Sequence, residues 1–331
     1  MNIVNADARL IPVNHTPEGM IAHIEKCGRT CYKSEPSSDP ASGVAFARRL
    51  IAAQHEAMLE HGTLILKLGI RNEKWLWNVL EGMAVEGIQV YIHNTQGPAG
   101  VLYSGNIRAW RSTMHFSVSR GYVIPMAFAD MMRKYAPLFD DVLGAEGFRE
   151  MPQNIDRAGA ELVDLNPADL NTTLEERVHH RMSVRFIVPR GVSHELVRHR
   201  PASFAQESTR YCNYSKEKFG TEITVIQPPF YLPGTDAYDY WTQAMTCAEN
   251  TYFKLLDFGC FPQQARGVLP LDLKTEVIMT ANVDEWIHFL NLRCKGTTGS
   301  PHPQMREVAR MAANELARDS HTIYKWAEEN L

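Results

Sequence analysis

An apolar run, Met182-Ser-Val-Arg-Phe-Ile-Val-Pro189, leads into Arg198-His-Arg200 and then, seven residues later, into Ser208 and Arg210. The run has the composition of a buried strand. Three adjacent cationic or protonatable side chains at the end of a buried element are costly unless an anion meets them. Phosphate suits the planar, bidentate fork of arginine. Whatever this chain folds into must carry a buried strand up to an anion site.

With 331 residues the chain can hold one large domain or two ordinary ones. Its 44% hydrophobic content supports a sizeable core, and its 22% charged content is that of an ordinary globular protein. A net charge of -4 argues against a general nucleic-acid coat, so the basic cluster reads as a local site. No apolar run approaches the roughly 18 residues of a membrane span. The start, Met-Asn-Ile-Val-Asn-Ala-Asp, lacks the layout of a secretory signal. The six cysteines (27, 31, 212, 247, 260 and 294) form no CxxC pair, which points to reduced thiols and a cytoplasmic setting. Thirteen histidines raise the question of metal, but no HExxH or paired Cys/His spacing occurs, and no metal is expected.

Helical patterns are expected from Pro17 to Tyr32 and from Val44 to Leu59, where Phe46, Leu50, Ile51 and Met58 share a face. A loop at Ser34 to Ser42 separates them. The alternating Thr63-Leu-Ile-Leu-Lys-Leu68 predicts a strand, and so does Gly87 to His93, before a turn at Gly97-Pro-Ala-Gly100. A polar stretch from about Gln153 to Leu174 reads as an exposed loop. Further on, Ile223 to Tyr231 is extended, Tyr238 to Phe258 is a helix stopped by Gly259 and Pro262, and Gln263 to Val268 opens a short helix. Lys274 to Thr280 is a strand, Asn282 or Asp284 caps a helix to Arg293, and the last helix is Pro303 to Arg318. Helices and strands alternate, so the class is α/β or α+β. The whole chain, 1–331, reads as one domain, with about 70–180 as an insertion. One echo stands out: Asn106-Ile-Arg-Ala-Trp110 against Asn282-Val-Asp-Glu-Trp286, each after a strand-like run.

Five arginines come from three separate segments: Arg198, Arg200 and Arg210 from the first, Arg266 from the second, and Arg293 at the end of His288-Phe-Leu-Asn-Leu-Arg293. All being arginine favours bidentate recognition of phosphate or an imide. Each has a plainer reading as a solvated side chain. Ser208 could cap a turn or act as a nucleophile, though no GxSxG elbow surrounds it. His55-Glu-Ala-Met-Leu-Glu-His61 reads equally as a solvated helix end. GxGxxG and GxxxxGK[ST] are absent, so a dinucleotide would not bind in the Rossmann or P-loop manner. Cys212 reads as a packing residue.

Taken together these segments resemble the flavin-dependent thymidylate synthases. Arg198-His-Arg200, seven residues, then Ser208 is similar to that family's signature, with Glu195-Leu-Val before it and Thr209-Arg210-Tyr211 after it. His55 to His61 is similar to an upstream His-Glu-x-x-x-Glu-His block, and Arg29-Thr-Cys-Tyr32 to an N-terminal one. Arg266-Gly-Val-Leu-Pro and Asn282 to Arg293 resemble the C-terminal blocks. The resemblance covers roughly residues 15–68 and 182–318.

The resemblance implies a mixed sheet flanked by helices and a homotetramer that stacks FAD against dUMP. It implies NADPH as reductant and methylenetetrahydrofolate as carbon donor, with neither nucleic acid nor membrane as partner. By the same carry-over His55, Arg198, His199, Arg200, Asn282 and His288 would meet FAD. Glu195, Arg198, Gln206, Ser208, Arg210, Arg266 and Arg293 would surround dUMP. Arg293 would be catalytic, favouring the ionised uracil, and no protein nucleophile would be required. The chain departs from the family at Asp284 (usually Arg), Ala57, Ala205 and Glu207. The echo suggests that Arg108 compensates for Asp284, the alternative being a plain surface charge.

Overall fold

The computed structural model describes residues 1–34, 39, 41–97, 100–151, 163–210, 212–215 and 220–331. The chain divides into two compact units. One comprises Met1–Pro12, Cys27–Glu35 and Met182–Leu331, the other Val13–Lys26 and Pro36–Arg181.

The first unit is built on the apolar run. It forms strand β7, Arg181–Pro189, flanked by β2 (Asp7–Ile11) on one side and β10 (Lys274–Asn282) on the other, with β8 (Ser203–Gln206) at the far edge. β2 runs antiparallel to β7, and β8 antiparallel to β10. Most of β10 and most of β7 are buried, as expected of central strands covered on both faces. Helix α11 (Val283–Leu290) and helix α12 (Pro303–Leu316) cover one face. Phe186, Trp286 and Phe289 meet there with ring centroids 5.7–6.4 Å apart. Burying each such ring stabilises the fold by about 1.5–3 kcal/mol. The stripe Met305, Val308, Ala309, Ala312 and Leu316 is wholly buried, as its spacing predicts. A separate cluster packs helix α9 (Asp236–Asp257) through Trp241 and Tyr252. Gly259, at φ +87, ends the turn after it.

The second unit holds a four-stranded antiparallel sheet in the order β4-β5-β3-β6. The strands are β3 (Thr63–Leu68), β4 (Ile92–Gly97), β5 (Gly100–Asn106) and β6 (Val163–Leu165). Helices α3 (Ile70–Val85), α4 (Ile107–Ser119), α5 (Met126–Lys134) and α6 (Ala136–Leu143) belong to it. Its core gathers Leu64, Leu66, Tyr103, Trp110, Met114, Phe128 and Phe139. Arg111 is buried inside it, ion-paired to Glu56 and Asp141 and donating to the Leu138 carbonyl. Such a charge is tolerated because every face of it meets an acceptor.

Several boundaries differ from the sequence reading. The helix expected over 44–59 is Ala41–Ala52, and a 3₁₀ turn at Glu56–His61 follows it. The strand expected at 87–93 lies at 92–97, since Gly87 sits at φ +74 just past α3. A further helix, His321–Asn330, follows the one expected to be last, capped by Ser320. The loop expected between 153 and 174 is outside the described residues up to 162; beyond that it contains β6 and a capping-box helix start at Thr172. Pro98 and Ala99 of the expected turn, part of the 34–42 loop, and Tyr211 are also outside the described residues.

Two buried histidines give a prediction. His179 is fully buried, with Nε2 2.7 Å from Thr95 Oγ1 and Nδ1 2.7 Å from Ser104 Oγ. Burial, then the charge of His93, pushes it down to about 4. His199 in the first unit is also pushed to about 4, by burial and then by Arg293 and His288. In the unfolded chain each would protonate near 6.5. The folded state therefore refuses protons that the unfolded state takes. Their contribution to stability should be full above about pH 6.5, fall as pH drops toward 4, and level off below. Urea midpoints measured from pH 7.5 to 4 check this, and His179→Asn should flatten the slope.

Candidate functional site

The site is assembled where β7 ends. Pro189, extended at φ -68 and ψ 153, opens helix α8 (Arg190–Leu196), a short helix that presents Glu195 near its end. The chain then bends through Arg198 and His199, whose N–H groups donate to the carbonyls of Glu195 and Leu196. Arg198 and Arg200 emerge into solvent, while His199 between them turns inward and is 7% exposed. Its ring meets Phe289 edge-on at 4.9 Å.

Arg293 closes the arrangement. Its Nε donates to His199 Nε2 at 3.0 Å, and its Nη1 donates to Glu195 Oε2 at 2.9 Å. Because Nε2 accepts, the proton of the neutral ring sits on Nδ1. Arg293 occupies a π turn, Asn291–Lys295, that continues α11 and ends at Gly296 in the left-handed region. Trp326 pins that turn by donating to Asn291 Oδ1 at 3.0 Å. Single π turns inside helices commonly occur at functional sites, because they turn a side chain out of register. Asn282, not Asp284, caps α11: its side chain accepts from the Glu285 N–H at 2.9 Å. His288, on the same helix, is exposed.

A second wall comes from β8. Gln206 lies opposite Val277 and donates to Ser193 Oγ at 2.8 Å, which fixes its amide. Ser208 has its N–H on the Cys31 carbonyl at 3.0 Å, and its Oγ accepts from the Arg210 N–H at 3.3 Å. That is a turn-forming hydroxyl, in agreement with the capping reading. Arg266 Nη1 lies 3.3 Å from Thr209 Oγ1. Glu195, His199 and Arg293 are thus in direct contact, and Arg266 joins the segment of Ser208 and Arg210. Arg198, Arg200 and Arg210 are exposed on that same unit. His55 belongs to the other unit, exposed beside the 3₁₀ turn. Arg108 there donates to Glu60 at 2.7 Å and is half-exposed.

Sequence reasoning missed the counter-ion of Glu207. This carboxylate is buried and sits 3.1 Å from Lys274 Nζ, which also reaches Glu276 at 2.7 Å, and Glu276 in turn holds Arg185 at 2.9 Å. Burial alone would raise Glu276, but Lys274 and Arg185 overrule it and hold the group below the usual carboxylate range. The Glu207 carbonyl also accepts from Arg190 at 2.7 Å. A charged residue between Gln206 and Ser208 was the signal that a buried cation had to exist. Ser193 and Phe289 gave no such signal.

The thiols of Cys31 and Cys294 are not primed as nucleophiles. Burial raises the Cys31 thiol, and Cys294 beside Arg293 is pushed up to about 12 by burial. Among the described residues no cluster of three or more His, Cys, Asp or Glu side chains could hold a metal ion. No described helix is long and apolar enough to cross a membrane.

The family described as "Thymidylate synthase complementing protein" matches residues 172–319. The flavin-dependent thymidylate synthase of Pyrococcus furiosus is 34% identical over 139 residues, covering 41% of this chain and 54% of that protein. The enzyme of the same name from Geobacter sulfurreducens is 36% identical over 112 residues, covering 32% and 44%. The chain therefore spans about half the length of the curated relatives it matches. A solved structure of the UMP/dUMP methylase PolB from Streptomyces cacaoi, bound with 5-Br dUMP, covers 98% of this chain and 96% of its own, at 15% identity and a TM-score of 0.41.

Proposed function

We propose, from the match of residues 172–319 to the thymidylate synthase complementing protein family, that this chain is a flavin-dependent thymidylate synthase. It converts dUMP to dTMP in the cytoplasm, with methylenetetrahydrofolate as carbon donor and NADPH as reductant, and works as a homotetramer. The observation that carries this reading is the Glu195–Arg293–His199 contact, set beside the exposed guanidinium groups of Arg198, Arg200 and Arg210.

The donor set fits an anionic dinucleotide and a nucleotide monophosphate. Exposed arginines offer paired N–H groups to phosphate oxygens, and Nδ1–H of a neutral His199 offers one more donor. Arg198, His199, Arg200 and His288 would hold FAD, with Asn282 acting through the cap of α11. Glu195, Arg198, Gln206, Ser208, Arg210, Arg266 and Arg293 would hold dUMP. When bound, the flavin supplies the redox chemistry that the side chains cannot. The protein's part is orientation and charge. Gln206, fixed by Ser193, and Ser208, fixed by the Cys31 carbonyl, would present rigid polar groups to the substrate. Arg293, itself held by two acceptors, would stabilise negative charge on the uracil as N3 loses its proton.

Two measurements test the proposal. The purified protein, supplied with FAD, should show flavin absorbance. With NADPH and methylenetetrahydrofolate it should release tritium from 5-tritiated dUMP. Absence of flavin binding would refute the whole reading. Flavin binding without tritium release would leave a flavoprotein acting on another pyrimidine.

A further inference from the structure

We infer that this chain contains one structural layer twice, and that only the second copy carries a nucleotide site. The word nucleotide rests on the function proposed above, whereas the repeat rests on geometry alone. The first copy runs from Thr63 to Ser119 and the second from Arg181 to Lys295. Each proceeds strand, helix, edge strand, middle strand, helix, with the strand Thr224–Ile226, helix α9 and the turns at Pro262–Val268 inserted between the edge and middle strands of the second. The strand orders correspond, β3-β5-β4 in one and β7-β10-β8 in the other. Each first strand is flanked on its outer side by an antiparallel neighbour, β6 or β2.

The correspondence extends to single residues. The middle strand of each copy ends in an asparagine whose side chain accepts the backbone N–H three residues on. Asn106 accepts from Ala109 at 2.8 Å, and Asn282 from Glu285 at 2.9 Å. Four residues past each cap stands a tryptophan with no exposure, Trp110 or Trp286. Superposing the caps sets Val101 on Val277. Opposite these valines on the edge strands stand Gln96 and Gln206. Cap, tryptophan and cross-strand pair thus agree in one register.

The copies part where the candidate site begins. Helix α3 continues unbroken to Val85, whereas α8 stops at Leu196 and releases Arg198 to Arg200. β4 pairs with β5 down to Gly97 and Gly100, whereas β8 leads away into Ser208 and Arg210. α4 stays α-helical to Ser119, whereas α11 opens into the π turn that carries Arg293. The capping bond and the buried tryptophan that both copies keep serve the fold, since a capped helix on a paired strand needs no ligand. What only the second copy has is the set of groups suited to an anion. The stretch of about 70–180 is accounted for in part: its first half belongs to the ligand-free copy.

Calorimetric titration of the full-length protein with dUMP should give one nucleotide per chain. Arg198→Ala should abolish that site, and Gln96→Ala should leave stoichiometry and affinity at wild-type values. Two nucleotides per chain, or loss of binding in Gln96→Ala, would overturn the inference. The repeat has its own ligand-free test. Asn106→Ala and Asn282→Ala should each lower Tm by about 2–4 °C, the expected loss for a helix cap in a protein of this size. A fall in only one of the two would overturn the equivalence. A wild-type chain that binds no dUMP would refute the proposed function, and the cap pair would still decide the repeat.

Discussion

Arg293→Ala is expected to keep the flavin and to lower dUMP turnover by about a hundred- to a thousandfold, the usual loss when one preorganised charge-stabilising donor is removed. The guanidinium is held at two points, on Glu195 at 2.9 Å and on His199 at 3.0 Å. A group fixed before substrate arrives needs no reorganisation when charge develops. Flavin absorbance and tritium release from 5-tritiated dUMP, measured on one preparation, separate the two effects. Near-normal release would remove Arg293 from its role. Loss of flavin would make it a structural pin for His199 instead. Arg293→Lys should recover only part of the activity, because a single ammonium cannot span both acceptors.

Lys274→Met should lower folding stability by about 3–5 kcal/mol, since it strands the carboxylate of Glu207 without a cation. Glu207 is 2% exposed, and its Oε1 has no hydrogen-bond partner among the described residues. The charge can therefore find neither water nor another donor. Glu276 would lose one of its two cations as well, keeping only Arg185. The double change Lys274→Met with Glu207→Leu should recover most of the loss, because an apolar pair removes the buried charge altogether. Urea unfolding of the three proteins measures this. A single variant within 1 kcal/mol of wild type would show that the pair is not what holds this segment.

The sequence reading succeeded where the signal was local. β7 followed from its apolar run, the end of α9 from the stops at Gly259 and Pro262, and α12 from an apolar stripe of helical spacing. It failed across 70–143, which holds α3 to α6 but reads in sequence only as a strand at 87–93 and a turn at 97–100. It also extended the helix from Val44 to Leu59 because Met58 continued the stripe, although the chain changes to a 3₁₀ turn after Ala52. Within the site, residue types were legible and their partners were not. Ser208 shows both sides of this. Its spacing from Arg200 marked it for function, but only the Cys31 carbonyl and the Arg210 amide show that its immediate task is to hold a turn.

The order of residues by itself determined that a buried strand runs up to a cluster of arginines, that Asn282 can start a helix, and that the arginine segments come in a family's order. These depend on periodicity and short spacing, which survive without a fold. The tertiary structure alone decided that Arg293 rests on Glu195, 98 residues away, and that Lys274 neutralises Glu207, 67 residues away. It also decided that the echo at Asn106 and Asn282 is a repeat of strand order and register. A charge selects its partner by distance in space, and only strand pairing sets that distance.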